Sequence, residues 1–230
     1  MPQDDATTRF VIAAARNEAD RIGATLDALA AALPGARLYV ADDASEDGTA
    51  GAAMQHGATV IRRGRSHGKG GNVGAAAEAA LSELGDADAT FLLCDADLGS
   101  SAAELVPLLD AVERDECDLA VAAFARREGG GFGFALGYAR DKIEQLCGFR
   151  AEAPISGQRA MPASLLRQVL PFADGFGMEI GMTVDAVRAG ARVKEIELPL
   201  THRATYRTLR GFLHRARQLR DFRRAVRPRR

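Results

Sequence analysis

Tryptophan is absent from this chain, and cysteine occurs only three times, at Cys94, Cys117 and Cys147. An odd number of thiols, two of them inside apolar segments, argues against a disulfide framework and for reduced cysteines in a cytosolic protein. No Cys-x-x-Cys pair and no Cys/His zinc spacing occurs, which removes structural zinc from the options. The chain also lacks any run of about 18 apolar residues, the length a membrane-spanning helix needs. Residues 1–8 are polar and are not expected to form a signal peptide.

What is present fits one large α/β domain, or a domain with an appendage, in 230 residues. Hydrophobic residues make up 47% and charged residues 27%, enough for a core and too apolar for wholesale disorder. The net charge of −1 conceals a split. Residues 203–230 hold 11 arginines against the single acid Asp221, a charge of +10, so residues 1–202 carry −11. An acidic body with a basic tail invites an anionic partner for the tail, or the body itself.

Apolar runs alternate with helical patterns. Strands are predicted at 10–14, 38–41, 58–61, 91–94 and 119–122. Helices are predicted over 19–33, with Ile22, Leu26, Leu29 and Leu33 on one face, and over 72–84 and 102–113, with a short helix after the second strand. This rhythm implies a mostly parallel sheet with helices on both faces, which binds ligands off the carboxyl ends of its strands. The second half is less regular. A glycine-rich loop over 126–134 leads to a helix over 138–147, then a short strand over 155–161 and a helix opened by Pro162. A helix over 178–189 and a strand over 193–198 follow. Leu209, Phe212, Leu213, Ala216, Leu219, Phe222 and Val226 form an apolar stripe at helical spacing. No internal repeat occurs.

The densest signal is Phe91-Leu92-Leu93-Cys94-Asp95-Ala96-Asp97, an apolar run ending in two carboxylates at i and i+2. Such residues can converge as a strand enters a loop, and a hard divalent cation relieves their repulsion while leaving room for phosphate oxygens. The plain alternative is Asp97 as a helix cap beside a solvated Asp95. Off the second strand, Asp42 and Asp43 can accept hydrogen bonds from a ribose diol and a base N–H, or simply shape the turn through Ser45-Glu46-Asp47-Gly48. Gly64-Arg65-Ser66-His67-Gly68-Lys69-Gly70-Gly71-Asn72 joins a strand to a helix. Either it lets backbone and cation approach a phosphate, or it is a flexible basic loop. It is no P-loop, because Gly64 stands one residue too close and no Ser/Thr follows Lys69. The first strand runs into Ala15-Arg16-Asn17-Glu18, so no dinucleotide fingerprint exists either.

The order of these motifs resembles the family 2 glycosyltransferases of GT-A fold. The resemblance is carried by Val11-Ile12-Ala13-Ala14-Ala15-Arg16-Asn17-Glu18, Asp42-Asp43-Ala44-Ser45-Glu46-Asp47-Gly48-Thr49, Gly68-Lys69-Gly70 and Asp95-Ala96-Asp97. It continues through Ser156-Gly157-Gln158-Arg159-Ala160, Gly175-Phe176-Gly177-Met178-Glu179-Ile180-Gly181 and Glu195-Ile196-Glu197-Leu198-Pro199. Within that group the chain is similar to polyprenyl-phosphate sugar synthases and to glucosyl-3-phosphoglycerate synthases.

The resemblance implies a GT-A domain over 1–202 and a basic amphipathic segment over 203–230. It implies transfer of a hexose from a nucleotide-diphosphate sugar to a phosphate-bearing acceptor; the basic tail favours polyprenyl phosphate, with phosphoglycerate second. Asn17, Glu18, Asp43 and Lys69 would surround the nucleoside, with Asp42 beside them. Asp95 would lie near ribose and sugar, as a catalytic as well as a donor-binding group. Asp97 would bind Mg²⁺ or Mn²⁺, which stabilises the departing diphosphate. His202 matches a further metal ligand of the phosphoglycerate branch, or else merely begins the basic segment.

Glu179 is the candidate catalytic group facing the acceptor, in an apolar stretch where desolvation would raise its pKa. In inverting relatives a carboxylate here deprotonates the acceptor; in retaining relatives it orients or stabilises the sugar. The alternative is a glutamate favoured by the dipole at a helix N-terminus. Ser156, Gln158 and Arg159 would line the acceptor side, Arg159 being suited to a phosphate.

The chain departs from the family pattern at Ala13 and Ala14, where proline is usual, at Ala44, where glycine is common, and at Gly99, where a polar ligand often follows the carboxylate pair. Lacking tryptophan, it cannot carry the Gln-x-x-Arg-Trp signature of processive synthases.

The basic tail packs on the body, lies on an anionic membrane near a lipid-phosphate acceptor, or anchors nucleic acid or another subunit. Only Phe212 and Phe222 interleave its arginines, so nucleic acid is not expected as a partner. A cytoplasmic enzyme is expected, with peripheral contact on the inner membrane face and a homodimer as open options. The rivals are a sugar-phosphate nucleotidyltransferase, which would need a glycine-rich loop directly after the first strand, and a non-catalytic membrane or nucleic-acid binding module.

Overall fold

The computed structural model of the chain describes residues 7–124, 133–200 and 225. Seven strands form one sheet in the order β3-β2-β1-β4-β6-β5-β7. They are β1 (Thr8–Ala15), β2 (Arg37–Asp42), β3 (Thr59–Arg62), β4 (Ala89–Asp95), β5 (Leu119–Phe124), β6 (Arg159–Pro162) and β7 (Val193–Leu198). All pairings are parallel except those of β6 with β4 and β5. The helices are α1 (Ile22–Ala32), α2 (Thr49–Gln55), α3 (Gly68–Leu84), α4 (Val106–Glu113), α5 (Gly133–Cys147), α6 (Ala163–Val169) and α7 (Met178–Arg188).

Strand alternation divides the core into layers. In β1, Val11, Ala13 and Ala15 join one apolar layer, with α1 residues Ile22, Leu26 and Leu29 and α4 residues Leu108 and Leu109. Phe10 and Ile12 join the opposite layer, with α3 residues Val73, Ala76, Ala77 and Ala80 and α6 residues Leu165 and Leu166. Side chains that point alternately to the two faces of a sheet covered on both sides produce this division. A third, smaller cluster joins α5 to α7 through Ala139, Ile143, Ile180 and Val184. The residues expected on one helix face, Ile22, Leu26 and Leu29 of α1 and Leu33 just past its end, are each at most 1% exposed.

Several boundaries differ from the sequence reading. The strand expected over 155–161 is confined to Arg159–Pro162, because residues 152–158 form a loop that turns toward the site. The helix expected over 102–113 begins as a 3₁₀ turn at Gly99–Leu105. The helix expected from 72 starts at Gly68, so half of the supposed basic loop is the first turn of α3. Most of the glycine-rich loop at 126–134, His202 and all of the basic tail except Ala225 lie outside the described residues.

Register places the acidic residues. Ala15 of β1 pairs with Asp42 of β2 on one side, and Ala14 pairs with Asp95 of β4 on the other. The carboxyl ends of the three central parallel strands therefore open onto one rim, carrying Asn17, Asp43 and Asp95.

Candidate functional site

β4 exits the sheet at Asp95 and turns immediately. The turn is held from below by Thr25 of α1, which is completely buried. Its hydroxyl donates to the Ala96 carbonyl at 2.7 Å and accepts from the Gly99 amide at 2.9 Å. Arg21 donates to the Asp97 carbonyl at 3.2 Å. Asp97 is thereby presented, half-buried, two residues beyond Asp95. A lone threonine inside an apolar helix face gives sequence reading little to find.

Asp95 lies at the centre of a charged network. Lys69 Nζ donates to Asp95 Oδ1 at 2.6 Å and stands 3.0 Å from Glu179 Oε1. Gln158 Nε2 donates to Asp95 Oδ2 at 2.8 Å, and the Ser156 hydroxyl donates to Gln158 Oε1 at 3.2 Å. Five residues predicted from four separate motifs thus form one chain, Glu179–Lys69–Asp95–Gln158–Ser156, drawn from α7, α3, β4 and the 152–158 loop. Burial works against the charge on Lys69, but Asp95 and Glu179 override it and hold the ammonium well above the ordinary lysine range. The Glu179 side chain is only 5% exposed, and the Lys69 ammonium is its ion-pair partner.

Two glycines make the network possible. A Cβ on Gly157 would stand 2.3 Å from Lys69 Nζ and about as close as 3.0 Å to the Asp95 carboxylate. A Cβ on Gly70 would stand 1.9 Å from the Ala173 carbonyl. The bare backbone there lets α3 press against the segment that leads into α7, which brings Lys69 to Glu179. The glycine-rich stretch therefore has a packing role at Gly70.

The donor-side residues are tied together through backbone and hydroxyl groups. Asn17, in the left-handed region at φ 57°, accepts from the Glu46 amide at 2.9 Å through Oδ1, and its amide donates to Ser45 Oγ at 2.9 Å. The Glu18 amide donates to Thr49 Oγ1 at 2.9 Å. Asp43 accepts from the Ser66 hydroxyl at 2.7 Å and the His67 amide at 2.8 Å. Arg16 Nη1 lies 3.6 Å from the same carboxylate. Ser66 and His67 were not singled out by the sequence; only their place in the basic glycine-rich stretch hinted at them.

Two expectations are corrected. Asp42 has no exposed surface. Its Oδ1 accepts from the amide and the hydroxyl of Ser45, and its Oδ2 lies 3.3 Å from Arg62 Nε. It shapes the turn from beneath rather than facing a nucleoside. Arg159 is also completely buried and does not face a phosphate. Its Nε donates to the Ser156 carbonyl and its Nη1 to Thr183 Oγ1, each at 2.9 Å. Burial pushes its guanidinium down to about 10, against the opposing pull of Glu179 and Glu195. All three cysteines are free. Burial drives the Cys94 thiol far above its usual value, and the neighbouring Asp95 adds to this, so it is inert.

The carboxylates fit a hard divalent cation only as part of a wider ligand set. Among the described residues, no group of three His, Cys, Asp or Glu side chains is gathered to hold a metal. Asp95 is engaged by Lys69 and Gln158; Asp97 is the residue that would hold a cation whose remaining ligands are phosphate and water oxygens, as magnesium commonly takes. His202, the other expected ligand, lies outside the described residues. Among the described residues, no helix is long and apolar enough to cross a membrane.

The sequence model for glycosyl transferase family 2 matches residues 10–170. Among solved structures, the chain is similar to glucosyl-3-phosphoglycerate synthase from Mycobacterium tuberculosis in several complexes. With the complex holding phosphoglyceric acid it shares 24% identity at a TM-score of 0.76, over 96% of this chain and 80% of that one. With the complex holding Mn²⁺ and UDP-glucose the identity is 25% and the TM-score 0.72, over 96% and 79%. With the complex holding Mn²⁺, UDP-glucose and glycerol 3-phosphate the values are 26% and 0.69, over 93% and 78%. Another structure of that synthase holds Mg²⁺ and UDP. No curated protein matches this chain.

Proposed function

The chain belongs to glycosyl transferase family 2, and from that premise we propose that it transfers a hexose from a uridine-diphosphate sugar to a small phosphate-bearing acceptor of the phosphoglycerate type. The observation that carries this reading is the Lys69 ammonium shared between Asp95 and Glu179. It joins the strand end expected to meet the donor to the helix expected to meet the acceptor. The phosphoglycerate class moves ahead of polyprenyl phosphate because several of the similar structures contain phosphoglyceric acid or glycerol 3-phosphate. The basic tail, which favoured a lipid acceptor and a membrane surface, lies outside the described residues.

Asn17, Glu18 and Asp43 hold the nucleoside. For Asp43 this means exchanging the Ser66 hydroxyl and His67 amide for ligand donors, or adding to them at the free edge of the carboxylate. Asp97 would hold Mn²⁺ or Mg²⁺, which would supply Lewis-acid stabilisation of the diphosphate leaving group. Lys69 bridges Asp95 and Glu179 and fixes the spacing between them. Gln158 fixes the second oxygen of Asp95, and Ser156 offers a hydroxyl on the acceptor side. Glu179, with its side chain almost wholly out of water, faces the acceptor hydroxyl.

The test is release of UDP from UDP-glucose with Mn²⁺, measured with and without 3-phosphoglycerate and, separately, a polyprenyl phosphate. The expected result is release that depends on 3-phosphoglycerate. In thermal shift, UDP with Mn²⁺ at about 100 times its Kd should add roughly 2.7 kcal/mol of stability, and Asp97→Ala should abolish the metal-dependent part. Full metal-dependent stabilisation in Asp97→Ala would overturn the metal assignment, and absence of nucleotide stabilisation in the parent chain would overturn the function.

A further inference from the structure

Arg159 is a buried cation with a poor set of partners. Its guanidinium donates to one carbonyl and one hydroxyl, and Nη2 has no hydrogen-bond partner among the described residues. No carboxylate of the described residues lies within ion-pair distance of it. Burying a charge on such terms is costly, and an apolar side chain of similar volume is commonly as stable or more so. Fold stability alone therefore does not account for an arginine here.

Its bonds explain what it does. From Ser156 the network continues behind the site: the Ser156 carbonyl accepts from Arg159, Arg159 donates to Thr183 Oγ1, and the Thr183 hydroxyl lies 3.0 Å from the Glu179 carbonyl. Together with the front chain through Lys69, Asp95 and Gln158, this closes a ring. Ser156 and Glu179 belong to both halves. The front half is partly exposed, and the back half is buried in protein. Arginine suits the back half because its planar fork presents two donors at a fixed spacing, which a lysine cannot reproduce.

We propose that Arg159 is a positioning residue that locks the acceptor-side loop, 152–158, to the helix carrying Glu179. This rests on the functional reading above, in which that loop and Glu179 face the acceptor. Arg159 contacts neither substrate. It sets the separation between Ser156 and Glu179, and so the acceptor pocket between them. A second clamp acts on the same loop from β7, where Glu195 accepts from the amides of Glu152 and Ala153 at 2.7 and 2.8 Å. Glu195 fixes where the loop begins, and Arg159 fixes where it ends.

The experiment compares the full chain with Arg159→Met and Arg159→Lys, using UDP-glucose, Mn²⁺ and 3-phosphoglycerate. Arg159→Met should keep its melting temperature, or raise it, and bind UDP with Mn²⁺ within about threefold of the parent. Its kcat should fall by about 10- to 100-fold, the scale set by small misplacements of reacting groups. Arg159→Lys should recover part of that loss, since one donor can still reach one of the two acceptors. An unchanged kcat in Arg159→Met, or UDP affinity falling in step with kcat, would overturn the proposal. Amide exchange gives a readout independent of activity. In Arg159→Met, residues 152–158 and the first turn of α7 should exchange faster while β1 and β4 do not change. If the parent chain does not use 3-phosphoglycerate, the acceptor reading fails and exchange alone decides the role of Arg159; unchanged exchange in both segments overturns it. Should Arg159→Met not fold, Arg159→Lys carries the same comparison.

Discussion

Gly157 sits where the site has no room for a side chain, with Lys69 Nζ and the Asp95 carboxylate both inside the space a Cβ would take. Lysine is flexible enough to move away, so Gly157→Ala should fold; the displaced ammonium would then leave Asp95 or Glu179. We expect a melting temperature within a few degrees of the parent and a fall of about tenfold or more in kcat/KM, as for other small displacements of reacting groups. Circular dichroism and UDP release would check the two halves of that expectation, and full activity in the alanine variant would refute the crowding argument. At this scale the sequence supplied the residue types. Asp95, Lys69, Glu179, Ser156 and Gln158 were all legible as candidates. Bonding partners, which no single residue name reveals, set Asp42 and Arg159 apart, since Gln158 and Glu179 are nearly as buried as they are. A carboxylate spent on Ser45 and a guanidinium beneath α7 look the same in sequence as ones that face a ligand.

Among the elements, the turn between β2 and α2 ties the donor side together. Asp47 Oδ1 accepts from the hydroxyl and the amide of Thr49, the amide at 3.0 Å, and Oδ2 accepts from the Ala19 amide at 3.2 Å. The Thr49 hydroxyl is the main reason this carboxyl is held below the ordinary aspartate range. A depressed folded pKa contributes stability above the unfolded value, about 3.9, that is lost as pH falls through the folded value. Asp47→Asn should therefore be less stable than the parent at pH 7, and the gap should narrow as pH falls below about 4. Urea unfolding at pH 7, 5 and 3 measures this; a gap that stays constant with pH would rule out the carboxylate as its source. The first turn of α3 makes the complementary point about reading sequence. Gly68 to Gly71 looked like a loop because glycine is a weak helix former. The helix forms there anyway, because Gly70 lets its backbone pack against Ala173.

Across the whole molecule, one sheet separates two large apolar layers, and this division can be tested. Leu109 of α4 lies in one layer and Leu166 of α6 in the other, and both have no exposed surface. Each leucine-to-alanine change should cost about 3 kcal/mol, and the double variant should lose the sum within about 0.5 kcal/mol. Equilibrium denaturation would show this, and strong non-additivity would mean that the layers are coupled through the sheet. The alternation of apolar strands with helical stripes determined the α/β class, the mostly parallel sheet and the acidic rim at the strand ends, because side-chain period and strand polarity are local properties written along the chain. The tertiary structure alone decided the antiparallel insertion of β6, the meeting of Lys69 with Glu179 across 110 positions of sequence and the burial of Arg159 behind them. Those outcomes depend on which backbones can approach closely and which charges are removed from water, and both are settled only when distant segments pack together.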